Sequence, residues 1–369
     1  MKLSYIFNMR MPTERAHGIQ VVKMCEAFAR SGLEVELLAS ARPNMIKEDP
    51  FSYYQAEKNF KIKKLIGLKP QFFYRTKAGF LLQNALFLIS ARLDRIFSKP
   101  GLVYTREQFF GVIFRGYFLE VHNLPKKVRY FHRLTWKRAK KIFVLTKYLK
   151  EEIISQGIDE NKIIVLPDAV DLEKFDLPIT KEDARTKLGL PLNKKIALYS
   201  GSFYAYDWKG ADILAEAAKY LPDVLVVLVG GGECAGKKHE LIVESQNVML
   251  AGRQPYKLIP YYLKAADVLV LPNKAGRAIS DKYTSPLKLF EYMAARRPIV
   301  ASDLPSIREV LNEGNSLLVK PGSSDELAAG IKKVLSDIEL ESRIAAQSYE
   351  DVKPRTWRAR AVKILDSLA

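Results

Sequence analysis

The chain has 369 residues, 48% of them hydrophobic, and a formal net charge of +18. At roughly 100–200 residues per domain, this is enough for two domains, each with its own core. Its two cysteines, Cys25 and Cys234, lie far apart, which excludes a disulfide framework and a cysteine-rich metal cluster and points to a reducing compartment.

The charge is placed unevenly. Residues 1–150 carry 29 Lys and Arg against 10 Asp and Glu, while the rest carries 30 against 31. The whole excess sits in the first part, so an anionic partner is expected there: a membrane surface, a lipid phosphate or a nucleic acid. The alternative is a merely solubilising surface.

In chain order, the apolar run from Met1 to Phe7 soon meets Arg10 and Pro12 and reads as a first strand rather than a secretory leader. Further strands are expected over 35–39, 102–104, 117–121, 142–145 and 163–166, with helices over 19–30 and 147–155. The apolar stretch 80–89 is interrupted by Gln83 and Asn84 and falls short of the roughly 20 residues a membrane span requires. The expected location is therefore cytoplasmic, peripheral on the inner face of a membrane. Residues 58–77 mix Lys61, Lys63, Lys64, Lys69, Arg75 and Lys77 with Phe60, Ile62, Leu65, Ile66, Phe72, Phe73 and Tyr74. They read as a long loop or an amphipathic piece. With Lys126, Lys127 and Arg129, where a second basic stretch begins, Lys61, Lys63 and Lys64 are the expected membrane or acceptor side.

The second half alternates more clearly. Strands are expected over 195–200, 224–229, 248–250, 268–271 and 299–301, and helices over 210–220, 239–245, 258–266 and 286–295. Such alternation implies βαβ units and a parallel sheet. Two doubly wound α/β domains in tandem follow, over 1–172 and 173–354, with a last helix over 355–369 returning to the first domain. Open sheets of this kind bind ligands at the carboxyl ends of their strands, so two of them facing a cleft is the expected architecture.

The segment Thr284-Ser285-Pro286-Leu287-Lys288-Leu289-Phe290-Glu291-Tyr292-Met293-Ala294-Ala295 carries the clearest chemistry. Ser285 is a suitable N-cap and Pro286 a suitable first helical residue. A helix start of this kind is an anion site. Lys288 adds charge one turn in, and Glu291 lies three residues on along the same face. The order suits a diphosphate at the helix start and a sugar hydroxyl at the carboxylate. The bland alternative is a capped helix with a surface Lys–Glu pair.

Arg297-Pro298-Ile299-Val300-Ala301-Ser302-Asp303 follows directly, and the whole resembles the C-terminal signature of glycosyltransferase family 4. Four further segments resemble that family in order and spacing. They are Val165–Phe175 (the Pro-Asn-Gly-Val-Asp segment), Tyr199-Ser200-Gly201-Ser202 with Trp208-Lys209-Gly210 (the phosphate loop), Val229–Glu233, and Leu250–Arg253 with Ala265–Pro272 (the base-binding segment). The resemblance implies the GT-B fold and a hexosyltransferase that moves a sugar from a nucleoside-diphosphate sugar, with retention, without cofactor or metal. It implies that Lys209 reaches the diphosphate, with Gly201 and Ser202 before it in the phosphate loop. Thr284, Ser285, Pro286 and Leu287 would cradle that group, Glu291 would bind ribose hydroxyls, and Arg253 would lie along the base. In the first domain it implies a glycine-rich loop at Gly18 under the donor phosphate and an active-site histidine at His122. His132 and His239 are expected on the surface.

Three departures stand out. Tyr283 occupies the place of the first glutamate of E-x7-E, Ser202 that of a phosphate-binding arginine, and Ala169 that of a glycine. Arg277 or Lys282 could supply the lost charge. No Asp-x-Asp occurs, so the ligands of a metal-dependent scheme are lacking. Two readings of other classes stay open. A catalytically silent partner subunit would explain Tyr283. A nucleic-acid-binding protein would explain the basic half, although no zinc spacing, helix-turn-helix or RNA-recognition motif occurs, and no nucleic acid is the expectation. The donor sugar, its base (UDP, GDP or ADP), the acceptor, the linkage and the oligomeric state are not legible.

Overall fold

The computed structural model describes residues 1–66, 76–97, 101–202, 207–231 and 246–367. The chain divides into two compact units: Met1–Pro167 with Trp357–Ala369, and Asp168–Thr356. Each is built on one parallel sheet with helices connecting its strands.

The first sheet holds β1 (Lys2–Phe7), β2 (Glu34–Ser40), β3 (Lys61–Leu65), β4 (Leu102–Thr105), β5 (Tyr117–Val121), β6 (Ala139–Val144) and β7 (Ile163–Val165), in the order β3-β2-β1-β4-β5-β6-β7. The second holds β8 (Lys195–Gly201), β9 (Val224–Gly230), β10 (Val248–Gly252), β11 (Val268–Leu271), β12 (Ile299–Ser302) and β13 (Leu317–Val319), in the order β10-β9-β8-β11-β12-β13. Strands covered on both faces must be apolar throughout. Val268, Leu269, Val270 and Leu271 of β11 are accordingly all fully buried. The winding reverses between β1 and β4 in one sheet and between β8 and β11 in the other. At such a reversal the following loops diverge and leave a crevice at the strand ends. Both groups of candidate residues lie there.

The connections differ from the sequence expectation in three places. Residues 61–65 form the edge strand β3, paired in parallel with β2 from Glu36↔Lys61 to Ser40↔Leu65, where a loop or amphipathic piece was expected. Lys61, Lys63 and Lys64 are exposed and only Leu65 is buried, as suits a sheet edge guarded by charged side chains. The apolar stretch 80–89 is the middle of a longer helix, Lys77–Phe97. Pro286 stands at the N-cap of the helix Leu287–Ala294, which no side chain caps. Ser285 Oγ instead accepts the backbone N–H of Asp168 at 3.3 Å. The expected helix 239–245, His239, Lys69, Arg75, Phe72, Phe73 and Tyr74 lie outside the described residues.

The last helix, Trp357–Asp366, packs on Ala16–Arg30 within the first unit. In the second unit, Asp267 ties the helix Lys181–Leu188 to the sheet. It accepts from Arg185 at 2.6 Å, Lys181 at 2.7 Å and the backbone N–H of Ile196 at 2.7 Å. These partners offset the burial of the carboxylate and keep it ionised. Asp267, part of the expected base-binding segment, thus serves the fold.

Candidate active site

In the second unit, β8 ends at Gly201 with φ +137°, and a Cβ there would stand 2.6 Å from Lys288 Nζ. Glycine is therefore required both by the backbone and by the lysine. Lys288, the second residue of Leu287–Ala294, lays its Nζ over the Tyr199 ring at 3.6 Å from the centroid. That nitrogen is buried and makes no hydrogen bond. Burial, and secondarily the neighbouring Lys209, push its pKa well below the usual lysine value, against the pull of Glu291. Lys209 ends the short turn Asp207–Lys209, and burial lowers it to about 8. Two crowded, desolvated lysines beside an uncapped helix N-terminus are matched to a multiply charged anion.

Glu291, one turn along, is buried. Burial raises its pKa to about 7, moderated by Tyr256 and Lys288. The Tyr256 hydroxyl donates to Glu291 Oε1 at 3.1 Å. The Tyr292 hydroxyl accepts the Ser200 backbone N–H at 2.7 Å, locking this helix to the end of β8. Thr284 and Ser285 are buried, Pro286 and Leu287 half-buried. Ser202 follows β8, half-buried, and Arg253 is exposed beyond β10. Arg277 and Lys282 are both exposed, whereas Lys288 is the cation beside Gly201. Asp281 accepts the Gly276 backbone N–H. Tyr199, Tyr256 and Tyr292 were not singled out from the sequence, because a tyrosine on a strand or helix reads as core.

In the first unit, a cavity of about 230 Å³ opens at the ends of β1, β4 and β5, among His17, Arg106, Glu120, His122, Asn123 and Trp136. Its hub is the buried Glu120. Oε1 accepts from Gln20 at 2.8 Å, from Arg360 at 2.7 Å and lies 2.5 Å from His122 Nε2, while Oε2 accepts from Tyr104 at 2.6 Å. Burial pushes this carboxyl up, but Arg360, His122 and Arg106 outweigh it and hold it well below the usual range. An ionised carboxylate only accepts, so His122 must donate through Nε2. Burial and Arg106 lower His122 to about 4 despite Glu120, so at neutral pH the ring is uncharged and Nδ1 carries the lone pair. His17 is lowered to about 3, by burial and then Arg106, and its buried Nε2 makes no hydrogen bond. Arg106 donates to Gln20 Oε1 at 2.6 Å.

Two expectations in this unit are corrected. Gly18 lies inside the helix Ala16–Arg30 rather than in a loop, and a Cβ there would meet the Tyr54 hydroxyl at 2.2 Å, so close packing accounts for the glycine. His132 is buried rather than on the surface, and its Nδ1 accepts the Arg129 backbone N–H at 2.9 Å. Lys61, Lys64, Lys126, Lys127 and Arg129 are exposed, whereas Lys63 pairs with Asp94 at 2.5 Å. Glu120 and Arg360 were missed by sequence reasoning. The only signal for Glu120 was an acid inside an otherwise apolar strand.

Comparison with known proteins bears on both units. Residues 18–174 match the model for Glycosyltransferase Family 4, and residues 180–351 that for Glycosyl transferases group 1. The putative teichuronic acid biosynthesis glycosyltransferase TuaC of Bacillus subtilis is 28% identical over 230 residues, 62% of this chain and 55% of that protein. The UDP-Gal:alpha-D-GlcNAc-diphosphoundecaprenol alpha-1,3-galactosyltransferase of Escherichia coli is 31% identical over 193 residues, 49% of this chain and 47% of that one. The matched stretches thus span about half of each relative. Among solved structures, Anabaena HepE in complex with UDP-glucose superposes with a TM-score of 0.76 at 18% identity, over 100% of this chain and 99% of that one. The chain belongs to glycosyltransferase family 4, and its two parallel-sheet units are those of the GT-B fold.

Proposed function

We propose that this chain is a hexosyltransferase that takes a sugar from a nucleoside diphosphate held in the second unit and passes it to a lipid-linked or membrane-proximal acceptor, with retention and without metal. The observation that carries this reading is Lys288, whose buried Nζ makes no hydrogen bond and stands beside Gly201 near an uncapped helix N-terminus, with Lys209 as a neighbouring cation. The diphosphate sits there, and Lys288 supplies the charge that Ser202, in place of arginine, does not. Glu291 and Tyr256 take the ribose hydroxyls, and Arg253 lies along the base. In the first unit, the uncharged His122 offers Nδ1 to a sugar hydroxyl. During transfer the bond from C1 to the β-phosphate oxygen breaks and a bond from C1 to the acceptor oxygen forms on the same face. The acceptor proton passes to the departing phosphate oxygen. Fixed cations and amides aimed at the growing phosphate charge lower this barrier most.

The lipid-diphosphate acceptor of the Escherichia coli relative and the UDP-glucose of HepE support the acceptor class and make uridine the first base to test. A silent partner subunit is the second reading, favoured by Tyr283 alone. Thermal unfolding with UDP, GDP and ADP tests the site. At 100 times its dissociation constant, a nucleotide that binds adds about 2.7 kcal/mol of stability. Glu291→Ala should lose about 1.5–3 kcal/mol of that binding, as removal of a charged hydrogen-bond partner does. No shift with any nucleotide, or an equal shift in the variant, would remove the assignment.

A further inference from the structure

The helix Lys77–Phe97 is apolar on both faces. Its inward face, with Gln83, Phe87, Ser90 and Ala91, is buried. Directly opposite, Leu82, Ile89, Leu93 and Ile96 recur at steps of seven, four and three, which places them on one outward stripe. They are 48%, 49%, 51% and 61% exposed. Leu81 and Phe97 add to this face at 56% and 87%. A helix that is hydrophobic all round is ordinarily covered on all sides. Among the described residues, no helix is long and apolar enough to cross a membrane, and this one is committed to the sheet along its inner face.

Charge around the helix indicates what covers the stripe. From Lys58 to Phe97 the chain carries nine Lys and Arg and a single acid, Asp94, which Lys63 already engages. Lys77 and Arg92 are exposed on the helix, and Lys61 and Lys64 on the neighbouring β3. A second copy of the chain would bring the same positive rim against this one, which opposes pairing. An apolar stripe with a basic rim is complementary to an anionic bilayer, which takes up the apolar side chains and pairs its headgroups with the rim.

We propose that the outward face of Lys77–Phe97 docks on an anionic lipid bilayer, lying in its surface. This differs from attraction by the basic segments alone, because the insertion of Leu82, Ile89, Leu93 and Ile96 resists salt. It rests on the transfer reading only for its purpose, which is to bring the enzyme to a lipid-borne acceptor.

The test is co-sedimentation of the full chain with phosphatidylcholine vesicles and with mixed phosphatidylcholine–phosphatidylglycerol vesicles, at low and high salt. The expected result is binding to the anionic vesicles that weakens with salt but does not vanish. Leu82→Glu/Ile89→Glu should cut partitioning by roughly tenfold or more, and the milder Ile89→Ser by less. Circular dichroism and the nucleotide-induced thermal shift, read on the same preparations, should be unchanged, since no donor-site residue is touched. Loss of the nucleotide shift in every preparation would count against the transfer reading, not this one. The docking proposal is overturned by undiminished binding of the double variant, by no binding of the unaltered chain to anionic vesicles, or by a lipid-free dimer that the double variant dissociates.

Discussion

Lys288 shows most clearly how position sets chemistry here. Its ammonium has the Tyr199 ring below it, Lys209 beside it and Glu291 one turn away, so in the free protein the charged form is disfavoured. Lys209, lowered to about 8, behaves the same way. A depressed lysine contributes stability above its ordinary pKa and loses it as pH falls through the lowered value. In the proposed reading, a diphosphate compensates that burial and raises both lysines. Binding of UDP at about pH 9, above the values for Lys209 and Glu291, should take up protons from solution. Calorimetry in two buffers of different ionisation heat reads that uptake, and Lys288→Met should reduce it while leaving measurable binding. Uptake that is absent, or unchanged in Lys288→Met, would mean the lysine does not meet the phosphates. The motif in the sequence announced Lys288 and Glu291. It did not announce the tyrosines that hold them, because what a ring touches depends on which strand end the helix start is packed against.

At the scale of elements, the C-terminal helix Trp357–Asp366 does more than fill space. Its Arg360 reaches Glu120 and the backbone carbonyls of Leu166 and Pro167, so the carboxylate that orients His122 is held from the far end of the chain. Removing one partner of a buried pair typically costs about 3–5 kcal/mol, because the other is left uncompensated. Arg360→Met and Glu120→Gln should each destabilise the protein to that order in urea unfolding. The double variant should cost clearly less than their sum, the mark of direct coupling. Strict additivity would show that the two act independently. The alternation of apolar strands and helices made the doubly wound units legible, including Tyr117–Val121 and Val268–Leu271 to the residue. It failed at Lys61–Leu65, where an edge strand exposes Lys61, Lys63 and Lys64 and so resembles a basic loop. It also failed at Ser285, where tertiary packing takes the serine away from the helix it appeared to cap.

For the whole molecule, the positive excess of residues 1–150 and the cations of the second unit serve different anions. In the proposed reading, the first draws the chain towards a charged surface and the second holds a diphosphate. The excess of charge was plain in the composition, but the apolar stripe of Lys77–Phe97 was not. In the sequence, residues 80–89 read only as an apolar stretch too short for a membrane span, and which side chains face outward is set by how the helix packs on its sheet. The most direct test of transfer is to supply a donor carrying a radiolabelled sugar, together with bacterial membrane lipid, and to follow label into the organic phase. The expected result is transfer by the unaltered chain and a fall of about 10²–10³-fold in turnover with Lys209→Ala, the scale seen when one preorganised charge-stabilising group is removed. Nucleotide binding without any movement of label, or undiminished turnover with Lys209→Ala, would contradict it.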